Sequence, residues 1–329
     1  MLMHRRDFIK YGIGTAGSLL LPAPLLAAPS LDCPDITHPH PERRLYTEKE
    51  LRNIKVTLHA NSGPRHKNLN LVEQGLRKHG ITATYAKRNA RLDSDVAVCW
   101  SFHQRRMHRF RHPRGLHTLF MERGFFQPRR KWISLSWEGI TNCGQYAPTQ
   151  GGGERWDEHF SHHLKPWKEG TSGHILLLGQ KPKDSALYGL DMLPWLDEMA
   201  GKLSAHNKPI VFRPHPRVRK KYHRKENPLS PPPGTTLSTN RDLEKDLAGA
   251  AFSVAYSSTA AVESVLAGVP CVTFHKGAIA RPVTSRDIQQ PYYRPDRTPW
   301  CHETAWKQWS NAEIANGDAW EHLKQYLLV

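Results

Sequence analysis

The segment FSVAYSSTAAVESVLAGVPCVTF, residues 252–274, constrains the fold more than any other part of the chain. It reads as a strand (Phe252–Tyr256), a Ser-Ser-Thr turn, a helix (Ala260–Ala267) and a second strand (Pro270–Phe274). Both strands are apolar, which is typical of strands buried on both faces of a parallel sheet. Gly268 suits the end of the helix. The segment therefore predicts a βαβ unit in an α/β protein.

The turn inside this unit is a candidate anion site. Ser257, Ser258 and Thr259 are good N-cap residues, and the start of a helix offers free backbone N–H groups and the positive end of the helix dipole. Glu263 lies one turn further on, where its carboxylate can accept hydrogen bonds from a ribose. Two interpretations stay open: a phosphate site, or a well-capped helix without a ligand.

A second motif, Pro209–Pro216 (PIVFRPHP), is an apolar strand that runs directly into Arg213 and His215. A proline follows each of these two residues and stiffens the backbone around it. Ligands bind at the carboxyl ends of strands in open α/β sheets, and arginine is suited to phosphate. The motif favours a phosphate site, although an ordinary strand exit with two surface side chains has the same sequence.

A third apolar strand, His174–Leu178, ends in Gly179 and Gln180. The polar turn KPKDS follows, and then a predicted helix at Leu190–Leu203. Three predicted strands of this half of the chain therefore end in polar loops that are able to bind a ligand.

The order and spacing of these motifs resemble the donor-binding domain of GT-B glycosyltransferases. The resemblance covers residues 173–329 and points to the capsule-polysaccharide (Kdo-transferase-like) and CDP-glycerol-polymerase-like groups, together with predicted glycosyltransferases carried by bacteriophages. In the polymerase pattern an aspartate precedes the serine pair, whereas this chain has Ala255–Tyr256 there. That departure weakens the CDP-glycerol assignment in particular.

The resemblance implies two Rossmann-like domains that face a central cleft, and a nucleotide sugar as co-substrate. It also implies that neither a metal nor another cofactor is needed. The implied donor-binding residues are Gly179, Gln180, Arg213, His215, Ser257, Ser258, Thr259 and Glu263, with Arg213 and His215 also catalytic.

The N-terminal half predicts a matching strand–helix alternation, and hence another parallel sheet. We predict an acceptor-side domain at 50–150, a linker at 151–172 and a donor domain with C-terminal helices at 173–329. A C-terminal helix that crosses back onto the first domain is common in GT-B proteins. The predicted elements are strands at Ile54–Ala60, Thr82–Ala86, Val96–Trp100 and Thr118–Met121 and a helix at Leu69–Lys78.

The acceptor hydroxyl needs a general base from the first domain. Glu122, which follows a predicted strand, is the candidate, and Glu138 is the reserve. Either carboxylate is equally compatible with an ordinary surface salt bridge.

The net charge of +17 points to an anionic partner. One basic cluster spans 105–131 and is interleaved with Phe110, Phe125, Phe126 and Trp132, and another spans 217–225. Basic residues mixed with aromatic residues suit a phosphate backbone with unstacked bases. DNA with hydroxylated bases, an acidic polysaccharide, an anionic membrane surface and a merely solvated surface all stay open. The predicted acceptor-binding residues are Arg105, Arg106, Arg109, Arg123 and Arg130.

Residues 1–28 resemble a twin-arginine export signal, with Arg5 and Arg6 followed by a mildly apolar stretch and two alanines. Export would make the protein periplasmic, whereas nucleotide sugars are made in the cytoplasm. A basic tail on a cytoplasmic protein is therefore the alternative interpretation. Export would also suit a different function, a non-catalytic polyanion-binding protein with a GT-B-like fold.

The five cysteines show neither a paired nor a zinc-type spacing. Cys99 and Cys271 lie in strand patterns and are predicted to be buried thiols. The twenty histidines are scattered along the chain, and the sequence predicts no metal site.

Overall fold

The structure, a computed structural model, describes residues 43–63, 66–101, 105–222 and 230–329. It contains two β-sheets with helices packed against them, so the predicted α/β class with two Rossmann-like domains facing a central cleft is confirmed. The predicted export signal lies outside the described residues. The strands are β1 (Val56–His59), β2 (Ala83–Ala86), β3 (Val96–Trp100), β4 (His117–Arg123), β5 (Trp132–Trp137), β6 (His174–Leu178), β7 (Ile210–Arg213), β8 (Thr236–Leu237), β9 (Ala250–Ala255), β10 (Cys271–Thr273) and β11 (Gln308–Ser310).

Short helices connect these strands and cover the sheets. No helix among the described residues is long and apolar enough to cross a membrane. The α-helices are α1 (Glu48–Leu51), α2 (Lys67–Lys78), α3 (Arg105–Arg111), α4 (Glu154–His159), α5 (Met192–Leu203), α6 (Pro216–Tyr222), α7 (Leu243–Ala248), α8 (Ala260–Leu266), α9 (Thr298–Ala305), α10 (Asn311–Asn316) and α11 (Asp318–Leu323).

The second sheet has the order β10-β9-β6-β7-β8, and all its strand pairs are parallel. The predicted βαβ unit is present as β9, α8 and β10. Gly268 ends α8 with a φ of +76°, and a Cβ at this position would lie 1.9 Å from the Pro166 carbonyl oxygen. Both facts require glycine. Cys271 is a buried free thiol in this sheet, and Cys99 is a buried free thiol in the other, as predicted.

The first sheet has the order β11-β5-β4-β3-β1-β2 and is mixed. Strands β2, β1, β3 and β4 are parallel, whereas β5 and β11 run antiparallel to their neighbours. Strand β4 was predicted as Thr118–Met121, whereas β5 and its hairpin with β4 were not predicted, because the sequence after β4 reads as a basic cluster rather than as a strand.

The end of the chain returns to this first sheet. Strand β11 pairs with β5, and α10 packs on α2 closely enough that a Cβ on Gly75 would lie 2.1 Å from the Ile314 carbonyl oxygen. Trp309 and Trp320 are buried in the core of the first domain. The final segment of the predicted donor domain therefore packs with the acceptor-side domain, because its bulky apolar residues complete that core.

The predicted linker contains α4. Trp156 of this helix is buried, and its ring lies 5.2 Å from Phe126 and 6.0 Å from Phe160. Few aliphatic residues occur here, but aromatic residues supply the apolar contact area. Trp156 and Phe160 therefore anchor this helix, while most of residues 161–172 are exposed.

Candidate functional site

A cleft of about 960 Å³ lies between the two sheets. Its first wall comes from the loops after β1, β3 and β4, and its second wall from the loops after β6, β7 and β9. Both walls are thus formed at the carboxyl ends of parallel strands, where ligands bind in open α/β sheets. A smaller cavity of about 440 Å³ shares Ser62, His66, Trp100, Arg123 and Arg130 with this cleft and extends over the first domain.

Several of the predicted site residues line this cleft. Glu122, Arg123 and Arg130 come from the first domain. The second domain contributes Gln180, His215, Ser257, Ser258 and Thr259.

The cleft is strongly basic. Among the described residues that line it, six are arginine or lysine and two are carboxylates. The excess of positive charge in a cleft with low-dielectric walls attracts anions. The basic residues are Arg88, Arg123, Arg129, Arg130, Lys181 and Arg217, and the carboxylates are Glu122 and Asp184.

His215 is held in one tautomer by its own loop. The Arg217 backbone N–H donates to Nδ1 at 3.1 Å, so in the neutral ring the proton lies on Nε2. Burial lowers the pKa of His215. The charges of Arg217 and Arg129 lower it further, and the charge of Asp184 acts in the opposite direction. A neutral imidazole with an available Nε2–H can donate a hydrogen bond to a phosphate oxygen.

Arg213 does not line the cleft. Its guanidinium forms an ion pair with Asp246, and it donates to the carbonyl oxygens of Asn240 at 3.0 Å and Arg241 at 2.8 Å. The two side chains are 10% and 2% exposed. The predicted phosphate ligand is therefore engaged in holding α7 against β7.

Gln180 and Ser257 are hydrogen-bonded to each other in the second wall. Gln180 Oε1 accepts from the Ser257 backbone N–H at 3.1 Å, and Ser257 Oγ donates to the Ala186 carbonyl at 2.6 Å. Ser258 Oγ accepts from the Ala260 N–H at 3.2 Å. These bonds join the loops after β6 and β9 and fix the floor of the cleft. Gly179 lies outside the lining and packs beneath the Phe212 ring.

Glu263 lies behind the cleft and in contact with the first domain. Burial raises the pKa of its carboxyl group, while the Gln127 side chain and the charges of Arg129 and Arg213 act in the opposite direction. Residues of the β4–β5 loop thus reach the position where the resemblance places a sugar hydroxyl.

Arg129 belongs to this β4–β5 loop, and sequence reasoning missed it as a donor-site residue. Its Nε donates to the Gly124 carbonyl at 2.7 Å, which anchors the side chain at the cleft wall. Burial lowers the pKa of its guanidinium, while Glu263 and Glu122 raise it, and arginine stays protonated in proteins. The sequence signal was present in PRR at 128–130, but nothing local indicates that this loop faces the other domain.

The two candidate bases differ in position. Glu122 lines the cleft and is within electrostatic range of Arg129. Glu138 is buried in the first domain and pairs with His108 at 3.1 Å and His117 at 3.3 Å. Burial would raise the pKa of Glu138, but the two histidines outweigh this effect and lower the pKa to about 2. Glu138 is therefore unavailable as a base.

The basic cluster at 105–131 is not one surface. Arg123 and Arg130 line the cleft, whereas Arg109 is exposed on α3 away from it, and the side chains of Arg105 and Arg106 lie outside the described set. Phe125 and Phe126 are 2% and 0% exposed in a hydrophobic core. These two rings therefore cannot stack on bases.

The first wall also carries polar residues that were not predicted. His59 is buried, with Nε2 2.9 Å from Thr57 Oγ1, and burial lowers its pKa to about 4. Asn61 accepts from the Arg88 N–H at 3.2 Å, and His66 caps α2 through the Leu69 N–H. No sequence motif marks these residues, because only the folded arrangement of the strand ends and loops brings them to the cleft.

No family model matches the chain, and no curated protein is similar to it in sequence. Among solved structures, the KpsC beta-Kdo 2,4-transferase of Thermosulfurimonas dismutans superposes with a TM-score of 0.55, over 77% of this chain and 90% of that protein, at 15% identity. The KpsC beta-Kdo 2,7-transferase of the same organism superposes with a TM-score of 0.51, over 79% of this chain and 97% of that protein, at 12% identity. The chain is therefore similar to these proteins in fold, which is GT-B-like.

Proposed function

We propose that this protein is a glycosyltransferase that binds a nucleotide sugar in the cleft and transfers its sugar to a hydroxyl group of an anionic acceptor. The observation that carries the proposal is the excess of basic residues in a cleft formed by the strand ends of two Rossmann-like domains. The fold similarity to two Kdo transferases supports the same reaction class.

The donor phosphates would lie between His215, Ser258 and Arg129. All three residues line the cleft, and they come from three different loops of both domains. As the nucleotide leaves, negative charge builds up on its phosphate oxygens, and fixed positive groups and N–H donors stabilise that charge. Arg129 and the Nε2–H of His215 are suited to this role, and no metal is required for it.

Glu122 would act as the general base for the acceptor hydroxyl. Its carboxylate belongs to the first wall, opposite the loops of the second domain. Proton removal by a positioned carboxylate typically contributes 10²–10⁴-fold to a rate. Arg123 and Arg130, beside it on the same wall, would attract a polyanionic acceptor such as an acidic polysaccharide or DNA with hydroxylated bases.

A thermal-shift screen against nucleotides and nucleotide sugars tests the proposal. A ligand that binds only the native state raises the melting temperature, so at least one sugar nucleotide should do so. The matched variant His215→Ala should show a reduced shift, whereas Arg109→Ala should behave as the wild type. A protein that no nucleotide stabilises, but that an acidic polysaccharide does, would be a polyanion-binding protein instead.

We also propose that residues 1–28 direct export, and this proposal competes with the first, because nucleotide sugars are made in the cytoplasm and export would favour the non-catalytic polyanion-binding protein. A reporter fused after Ser30 should leave the cytoplasm, and replacing Arg5 and Arg6 by lysine should stop this. A reporter that stays in the cytoplasm with the native sequence would show that the segment is not a signal.

A further inference from the structure

A cluster of metal-binding side chains lies outside the proposed reaction. His108 is on α3, His112 follows that helix, and Glu138 follows β5. One candidate ligand atom from each of these residues lies within 4.8 Å of the other two. His108 is 7% and Glu138 6% exposed, while His112 is half-buried.

The two oxygens of Glu138 have different surroundings. Oε1 accepts from the Thr118 N–H at 3.2 Å and lies 3.3 Å from His117 Nδ1. Oε2 faces His108 Nδ1 at 3.1 Å, but neither atom makes a hydrogen bond of good geometry to any described residue. Buried polar atoms without such a bond are rare, and each needs an explanation.

We propose that His108, His112 and Glu138 bind a zinc ion. Two imidazoles and a carboxylate are a ligand set that zinc accepts in tetrahedral sites, with bonds of about 2.0–2.2 Å. Neighbouring ligand atoms around such an ion are about 3.4 Å apart, close to the separation of Glu138 Oε2 and His108 Nδ1. His112, four residues after His108, offers the third candidate ligand atom, within 4.8 Å of the other two.

The surroundings of the cluster fit this assignment. His117 holds Oε1 of Glu138 and is itself fixed by the Arg44 carbonyl, 2.7 Å from its Nε2. Such outer partners orient ligands in metal sites. The guanidinium of Arg111 is within electrostatic range of Glu138, and it donates hydrogen bonds to the carbonyl oxygens of Ser94 and His117.

The zinc ion would stabilise part of the cleft wall and would take no part in the transfer of the sugar. Glu138 has a φ of +62° and Thr141 a φ of +54°, so these two residues of the turn after β5 adopt a backbone conformation that non-glycine residues seldom adopt. Ile140 and Thr141 of this turn line the cleft. A zinc ion on Glu138 would fix that part of the cleft wall.

Isothermal titration of the metal-free full-length protein with zinc chloride tests the site. The wild type should bind one zinc ion tightly, and His112→Ala should weaken binding by more than about 100-fold, since even loss of an outer partner costs 10–100-fold. Because the chain has twenty histidines, His159→Ala is the matched control. His159 is also half-buried and also faces a carboxylate, Glu158, at 3.8 Å, and its loss should leave zinc binding unchanged.

A second measurement guards against a general loss of fold. Zinc should raise the melting temperature of the wild type and of His159→Ala, but not of His112→Ala, whose unfolding should remain cooperative. Equal zinc affinity in the wild type and in His112→Ala would overturn the proposal. So would a wild type that binds no zinc, and the cluster would then be only an ion-paired brace.

Discussion

Arg213 and Arg129 show how differently the two domains contribute to the cleft. Arg213 ends a strand of the second sheet and is followed by Pro214, as a phosphate ligand in this fold should be, yet its guanidinium is bonded to Asp246. Arg129 lies in a hairpin loop of the first domain and lines the cleft. A residue at the end of a strand therefore lies near the cleft, but the direction of its side chain decides whether it can bind a ligand there.

The largest expected effect is on folding. Arg213→Ala leaves the Asp246 carboxylate buried without its cation, and breaking a buried ion pair in this way costs about 3–5 kcal/mol of stability. Urea unfolding measures the change in the free energy of unfolding. Arg217→Ala, which removes an exposed arginine in the first turn of α6, should stay within about 0.5 kcal/mol of the wild type. An Arg213→Ala protein of normal stability that fails to bind donor would restore Arg213 to the site.

Donor binding should depend on Arg129 instead. A hydrogen bond to a charged group contributes about 1.5–3 kcal/mol, so Arg129→Ala and His215→Ala should each weaken nucleotide-sugar binding by about that amount. Calorimetric titration with a stabilising sugar nucleotide measures the dissociation constant. Arg109→Ala is the control, since this arginine is exposed on α3 away from the cleft. Unchanged affinity in the Arg129 variant would remove the first-domain loop from the donor site.

Acid should destabilise the first domain through buried His322. Burial lowers its pKa to about 4, and neither ring nitrogen has a hydrogen-bond partner among the described residues. In the unfolded state His322 has an ordinary pKa of about 6.5, so between pH 6.5 and 4 the unfolded state binds more protons than the folded state. The contribution of His322 to stability is therefore complete above pH 6.5 and is lost as the pH falls toward 4.

The variant His322→Phe isolates this effect. It keeps the stacking on Trp306, whose ring lies 4.8 Å from that of His322, and removes the titrating group. At pH 5 the variant should recover about 2 kcal/mol relative to the wild type, compared with their difference at pH 7. If the difference in the free energy of unfolding between the variant and the wild type is the same at pH 5 and pH 7, His322 is not a source of acid sensitivity.

The smallest effect concerns the acceptor. If Arg123 and Arg130 contact a polyanion, replacing either by alanine should reduce the slope of log affinity against log salt by about 0.7–0.9. Titrations with single-stranded DNA and with an acidic polysaccharide at several salt concentrations measure this slope. Donor affinity should change less than in the Arg129 variant. A slope that both variants leave unaltered would place polyanion binding elsewhere.

The second sheet was predictable because its information is local. Strands β6, β7, β9 and β10 are largely apolar runs that end in polar or turn residues, and Gly268 stops α8 as expected, whereas the two-residue strand β8 was not predicted. The predicted strand His174–Leu178 agrees with the structure at both ends. Residues such as His215 and Ser258 therefore reach the cleft as a direct consequence of their place after a strand.

The rest depends on contacts that are distant in sequence. Strand β11 pairs with β5 across some 170 residues, and Gln308 Oε1 accepts from the Phe125 N–H at 2.6 Å. Phe125 and Phe126 of the basic cluster are buried in a hydrophobic core beside this pairing. Neither their burial nor the orientation of Arg129 is encoded in a local pattern, which is why the sequence suggested a nucleic-acid surface there.

The central claim is that one anionic ligand is bound by loops of both domains. Hydrogen–deuterium exchange, with and without the sugar nucleotide that gives the largest thermal shift, tests it most directly. Binding should slow exchange in two segments together, 124–131 of the first domain and 257–259 of the second, and leave α3 unchanged. Protection confined to one domain, or located away from both segments, would contradict the account.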